Sequence, residues 1–244
     1  MPEEVDAVTD CLRFQVRRVR AGRSLVLEGG VLKSLYFVAA GCFKCIQTHA
    51  DGHEQVLGFP MRGELIGIDA LDEGRYASGA LALEDSTVLV LPFRELVRLG
   101  QEVPALERML QRCTGRELAR RDRCAVMTAG AGAQARLSRF LLWLAGQQGG
   151  TEGPVQLLRL PMSRRDIASH LGLPCETVAR LLSTLEAQGC IELRPGELEL
   201  LDADALEQLQ HQPLPVAEPC GLRDRLPQRS RRGRAAGALR MPAA

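Results

Sequence analysis

The 244-residue chain sets 31 Lys and Arg against 30 Asp and Glu, a formal net charge of +1, so no chain-wide field marks it for polyanions and any nucleic-acid footprint must be local. The length suffices for two hydrophobic cores, and no run approaches the ~18 consecutive apolar residues of a membrane span. The acidic start, M-P-E-E-V-D, lacks the basic and apolar pattern of a secretion signal, which predicts a cytoplasmic protein without membrane contact whose eight cysteines are reduced thiols.

From Phe14 to about Pro104 short alternating runs (24–27, 35–39, 43–48, 55–59, 80–83, 87–91) are separated by Gly-rich turns. Short strands at this spacing predict a sandwich or a jelly roll (a double-stranded β-helix) over residues 1–103. Cys42 and Cys45 form a C-x-x-C, but on a strand an odd spacing sends the two side chains to opposite faces, which argues against a metal or redox pair. A jelly roll can also house a cupin-like metal enzyme. His49 and His53 are the only close histidine pair, and H-A-D-G-H reads as a hairpin turn rather than a converging ligand set. No catalytic residue, metal or cofactor is therefore assigned, and the chain is not expected to be an enzyme.

Pro104 opens a helical stretch to about Met127. Val103, Leu106, Leu110, Cys113, Glu117, Arg120, Cys124 and Met127 recur at alternating steps of three and four, the pattern of a coiled-coil seam with a polar middle. Residues 104–128 are expected to be a dimerisation helix, with Leu106, Leu110, Cys113, Glu117, Arg120, Cys124 and Met127 facing a second copy. On that reading Glu117 and Arg120 pair across the two-fold axis, and the Cys113 and Cys124 thiols lie near their mates; the alternative is a single helix packed on its own β-domain. A-G-A-G-A, 129–133, reads as a joint. Helical sequence resumes at Arg136 with an apolar stripe of Leu137, Phe140, Leu141 and Leu144.

The strongest pattern runs from Ser163 to Leu200. Ile167, Ala168 and Leu171 mark one face of a short helix, Gly172 a turn, and Val178, Leu181, Leu182 and Leu185 one face of a second helix ended by Gly189. Ser163 is an N-cap with Asp166 as a capping-box partner, and Pro174 opens the second helix where no N–H donor is needed. Ile191 to Leu200 alternates around Pro195-Gly196, a hairpin. Helix, turn, helix and hairpin make a winged helix-turn-helix over residues 133–208, and double-stranded DNA is the partner that such a module implies. Ser163, Arg164 and Arg165 at the first helix and Cys175, Glu176, Thr177, Ala179 and Arg180 on the outer face of the second are the candidate DNA contacts. Arg can fork onto guanine O6 and N7, and Glu can accept from cytosine N4; four residues apart, Glu176 and Arg180 can also hold each other. Four Arg between 159 and 180, with Arg108, Arg112, Arg116, Arg120, Arg121 and Arg123 upstream, supply a modest basic footprint, while 186–207 is acidic. Cys175, at the N-terminus of the second helix and on its outer face, is a candidate redox site whose oxidation or modification would block the groove contact.

This order of parts resembles the catabolite-activator/FNR (Crp/Fnr) superfamily of bacterial transcription regulators over residues 14–208. The runs L-K-S-L-Y-F-V-A-A-G (32–41), A-D-G-H-E-Q-V-L-G-F (50–59), G-E-L-I-G-I-D-A-L (63–71) and G-L-P-C-E-T-V-A-R-L-L (172–182) are closest to the FNR branch. The resemblance implies an α+β chain: a cyclic-nucleotide-binding-like β-roll, a dimerisation helix and a winged helix-turn-helix. It also implies a homodimer that binds a palindromic site with a T-G-A-like core, read by Glu176 and Arg180, and that contacts RNA polymerase through the segments 63–71 and 147–154. Ala179 stands where FNR-type proteins carry a Ser, and Cys175 where the catabolite-activator branch carries an Arg. Only Cys11 precedes the β-domain and Leu89 takes the internal cysteine's place, so the branch's iron–sulfur cluster is not expected. Tyr76-Ala77 takes the place of the Arg-Ser pair that grips a cyclic phosphate, with Arg75 adjacent; a small-ligand-dependent regulator of the same fold is the alternative. The stretch 209–244, rich in Pro, Ala and Arg, is expected to be a disordered basic tail.

Overall fold

The β-roll exists because its alternating runs cannot bury their apolar faces alone and close on each other as two four-stranded sheets. In one sheet β1 (Gln15–Val19), β8 (Ser86–Pro92), β3 (Ser34–Ala40) and β6 (Leu65–Ile66) lie in that order; in the other the order is β2 (Ser24–Val26), β7 (Gly79–Ala82), β4 (Phe43–Thr48), β5 (Glu54–Gly58). Every pairing is antiparallel, and Val38, Phe43, Ala82 and Val88 sit fully buried between the sheets. The computed structural model describes residues 15–128, 132–149 and 157–210. Cys11 and the stretch 211–244 lie outside the described residues, as do 129–131 of the joint.

Two strands escape a pattern-based reading. In β1 only Val19 is buried, so its sequence Q-V-R-R-V carries no apolar alternation, and β6 is two residues long. Helix α1 (Phe93–Glu102) was also not expected: Phe93, Leu96 and Leu99 pack on the roll, but three apolar positions beside a strand extend its pattern without showing where it turns helical.

Helix α2 (Pro104–Thr128) spans the stretch predicted for the seam, but the seam faces inward. Leu106 is 1% exposed within the β-roll core and Leu110 packs beside it. Glu117 and Arg120 pair with each other on one helix, Nε to Oε2 at 2.7 Å and Nη2 to Oε1 at 2.6 Å, and Arg121 joins at 3.1 Å. Arg120, 7% exposed, lays its guanidinium against Gly58 of β5, where an added Cβ would stand 2.5 Å from Nη1. Leu106, Leu110 and Arg120 thus pack on the chain's own β-domain, Glu117 pairs with Arg120 along the same helix rather than across a two-fold axis, and Cys113 is half-buried. A heptad stripe reports which face is buried and is silent on what buries it. The side chains of Cys124 and Met127 lie outside the described residues. Gln111, Thr114, Gly115, Leu118 and Asp122 form the outward face, with Leu118 62% exposed.

Helix α3 (Ala133–Gln148) buries Leu137, Phe140, Leu141 and Leu144 against α4 (Arg164–Leu171), α5 (Cys175–Ala187) and α6 (Ala203–Gln210). Strands β10 (Ile191–Arg194) and β11 (Glu197–Leu200) make the predicted hairpin, and β9 (Leu157–Arg159) adds a third strand on β11. This second core is continuous with the roll's outer side, since Cys42, Val56, Phe59 and Met61 belong to it. Cys45 instead packs against the roll's interior, so the odd spacing sends the two thiols into separate cores, where they cannot converge on one ion. Burial pushes the Cys45 thiol up to about 12 and Cys42 higher still, which holds both protonated.

Candidate nucleic-acid interface

The first helix of the motif is fixed by its cap. The Asp166 amide donates to Ser163 Oγ at 3.1 Å, and the Ser163 amide and hydroxyl both donate to Asp166 Oδ2, at 3.1 and 2.7 Å. Asp166 Oδ1 is held by Lys44 Nζ of β4 at 2.6 Å. Burial works against the carboxylate, but the bonds from Lys44 and Ser163 outweigh it and hold its pKa below the ordinary value. The Ser163 hydroxyl is therefore committed to the cap, while Arg164 and Arg165 are exposed beside it. At the other end Gly172 adopts φ 61°, the left-handed turn that frees the chain to start α5, and Arg136 of α3 donates to the Leu171 carbonyl at 3.2 Å.

In α5, Val178, Leu182 and Leu185 are buried, and this leaves Cys175, Glu176 and Arg180 exposed on the other side with Thr177 and Ala179 half-buried between. Glu176 and Arg180 share that face but do not pair: among the described residues neither side chain has an ion-pair partner. The support each was expected to lend the other is absent here, and both heads stay open to solvent. Proline at position 174 precedes the helix, and the amides of Thr177 and Val178 both close on its carbonyl. In the wing, Arg194 is tied to Glu199 at 2.8 Å and to Glu192 at 3.3 Å, so the hairpin presents little net positive charge.

Of the upstream arginines expected to strengthen the footprint, Arg120 and Arg121 are turned to Glu117 instead. The segment 63–71 is less open than its motif suggested, with Ile66, Gly67 and Ala70 buried and exposure resuming at Leu71. Gln147 donates to Glu64 at 3.3 Å, so the two segments named for polymerase contact adjoin; 150–156 lie outside the described residues.

A cavity of about 260 Å³ lies between the β-roll and α2, lined by Cys45, Asp69, Ser78, Glu117, Arg120 and Arg121 among others. Ser78 donates to Asp69 at 2.7 Å, and Glu117 already binds both arginines. Tyr76 is buried with its hydroxyl donating to the Ser34 carbonyl at 2.7 Å, and Arg75 donates outward to the Gly29 carbonyl at 2.8 Å. The cavity's cations, Arg120 and Arg121, are thus both engaged by Glu117, and Tyr76 and Arg75 are turned to backbone carbonyls.

At the hairpin of β4 and β5, His49 accepts the Gly52 amide and donates to the His53 carbonyl, which is the turn expected. The two rings stack at 6.3 Å. Among the described residues no group of three or more metal-ligating side chains forms, and no helix is long and apolar enough to cross a membrane.

A helix-turn-helix with an open outer face, a wing, and a jelly roll against a long helix define a DNA-binding transcription regulator with a cyclic-nucleotide-binding-type domain. Residues 135–209 match the family model for the Crp-like helix-turn-helix domain, and residues 16–102 that for the cyclic nucleotide-binding domain. The chain is 32% identical over 206 residues to the transcriptional regulatory protein btr of Bordetella pertussis, which covers 84% of this chain and 85% of that one. It is also 32% identical over 191 residues to the fumarate and nitrate reduction regulatory protein of Escherichia coli K12, covering 78% and 76% respectively. In fold it is similar to FixK2 from Bradyrhizobium japonicum, with a TM-score of 0.75 at 24% identity over 83% of this chain and 100% of that one. The chain belongs to the Crp/Fnr family of transcription regulators.

Proposed function

We propose that this regulator binds a palindromic duplex as a homodimer, with Glu176 and Arg180 of each copy reading a T-G-A-like core in half-sites about one helical turn apart. The observation that carries the reading is the open, unpaired placement of those two side chains on the outer face of α5. Arg164 and Arg165 contact phosphate at the start of α4, and Ser163 acts through its cap rather than on the DNA. Ala179 offers a methyl where a hydroxyl would select the outer base, so a thymine methyl there is tolerated rather than required.

The outward face of α2, centred on Leu118, is where a second copy pairs, and the surface around Glu64 and Gln147 contacts RNA polymerase. Cys175 sits exposed beside Glu176, so an oxidised sulfur there obstructs the groove, and Cys175→Ser protein keeps its affinity under peroxide. In vitro selection from random duplexes tests the central claim. Enrichment of a two-fold symmetric T-G-A-containing site is expected, with a dimer in sedimentation. A monomer at micromolar concentration, or no enriched sequence, overturns it.

A further inference from the structure

Strand β5 is held from two sides. On one, Arg120 of α2 lies against Gly58. On the other, α4 closes on the same strand: the Val56 amide donates to Ser169 Oγ at 2.9 Å, that hydroxyl donates to the Glu54 carbonyl at 3.3 Å, and Gln55 Nε2 donates to the Ser169 carbonyl. The Lys44–Asp166 pair closes the near end of this seam.

His170 sits at its centre and takes no part in the DNA-reading face. The ring is 5% exposed and meets Phe59 and Phe140 edge-on at centroid distances of 5.2 and 5.9 Å. Its Nδ1 lies 3.3 Å from the Val56 carbonyl, so the neutral ring with its proton on Nδ1 satisfies one strand acceptor. A second proton, on Nε2, would place a full charge between two aromatic rings with no acceptor for the new donor among the described residues. The charged groups on the surrounding elements do not help. Arg120 of α2 is a like charge, Arg136 of α3 caps the end of α4, Lys44 and Asp166 satisfy each other, and His53, Glu54 and Arg165 line the open groove beside them.

We propose that the β5–α4 seam is a proton-sensitive latch: the helix-turn-helix stays docked on the β-roll while His170 is neutral, and protonation of that ring releases α4 from β5. Burial, with Arg120 adding to it and the bond to Val56 opposing, pushes the imidazole from 6.5 down to about 4 when docked. The sign follows: docking is at full strength above the released ring's ordinary value near 6.5 and weakens as pH falls from there toward the docked value. With those two values the equilibrium shifts toward release by about 10-fold between pH 7.5 and pH 5.5. The proposal concerns docking alone, so it can fail without touching the choice of DNA sequence.

The test is amide exchange of Val56 by NMR in the full chain, parent against His170→Phe at matched pH, so that intrinsic exchange rates cancel. Phe fills the aromatic slot and cannot take a proton. His170→Gln, uncharged and of similar length, serves if Phe distorts the seam. The expected result is that parent protection at Val56 falls about 10-fold relative to the variant at pH 5.5 but not at pH 7.5. Amides of Leu182 and Leu185, inside the α5 core, should show no such difference. Parallel pH profiles in parent and variant, or equal losses at Leu182 and Val56, overturn the latch.

Discussion

Replacing Asp166 by Ala removes a single carboxylate that joins the cap of α4 to the β-roll. It deletes the two bonds that Ser163 donates to the carboxylate, worth about 1 kcal/mol together, and the charge-assisted bond from Lys44, while the backbone amide at 166 keeps its bond to Ser163 Oγ. With side chains only 18% and 13% exposed, the Lys44–Asp166 pair is largely out of solvent, so it is less screened than a surface pair and is expected to contribute about 1–2 kcal/mol. The sum is about 2–3 kcal/mol, read as a lower urea midpoint at unchanged m. Lys44→Met and the double variant complete a cycle whose coupling should be about 1–2 kcal/mol. Because the bonds from Lys44 and Ser163 lower the Asp166 pKa, this stabilisation is full above the ordinary carboxylate range and is lost as pH falls through the lowered value. The gap between parent and Asp166→Ala must therefore narrow in acid. Additivity of the two single variants within about 0.3 kcal/mol would refute the reasoning.

Arg180→Ala and Glu176→Ala should each weaken specific DNA binding by about 1–3 kcal/mol in anisotropy titrations and relax selectivity at one base pair, with thermal unfolding unchanged because both side chains are exposed and unpaired. Arg164→Gln and Arg165→Gln should lower affinity for all sequences alike and each make the salt dependence shallower by about one unit of slope; an unchanged slope would remove them from the phosphate contacts. Truncation after Gln210 should also flatten that slope if the basic 211–244 segment adds phosphate attraction. Leu182→Ala, at 2% exposure in the α5 core, should cost about 2–5 kcal/mol of stability by calorimetry or urea. Leu118→Glu on the outward face of α2 should shift the sedimentation coefficient to that of a monomer while leaving the fold intact.

Local chemistry was legible wherever neighbouring residues decide the structure. The Ser163–Asp166 box, the Gly172 turn, the Pro174 start and the alternation of Ile191 to Leu200 each act within a few residues, and each is found where the sequence puts it. The exposed face of α5 follows from the same periodicity, since Val178, Leu182 and Leu185 can only be buried on one side. The separation of Cys42 and Cys45 follows from the two-residue repeat of a strand.

What neighbours do not decide, the sequence could not show. The stripe from Leu106 to Arg120 was a sound statement of burial, but whether it buries against a second chain or the same one depends on the β-roll surface that meets it, and that surface is built from residues far away in the chain, Gly58 and Glu64 among them. The third strand of the wing, the union of the two cores through Phe59 and Met61, and the enclosure of His170 arise in the same way. Periodicity determined which faces had to leave water. Only the tertiary structure decided what each face met, because that choice is a matter of shape and charge between segments that the linear order keeps apart.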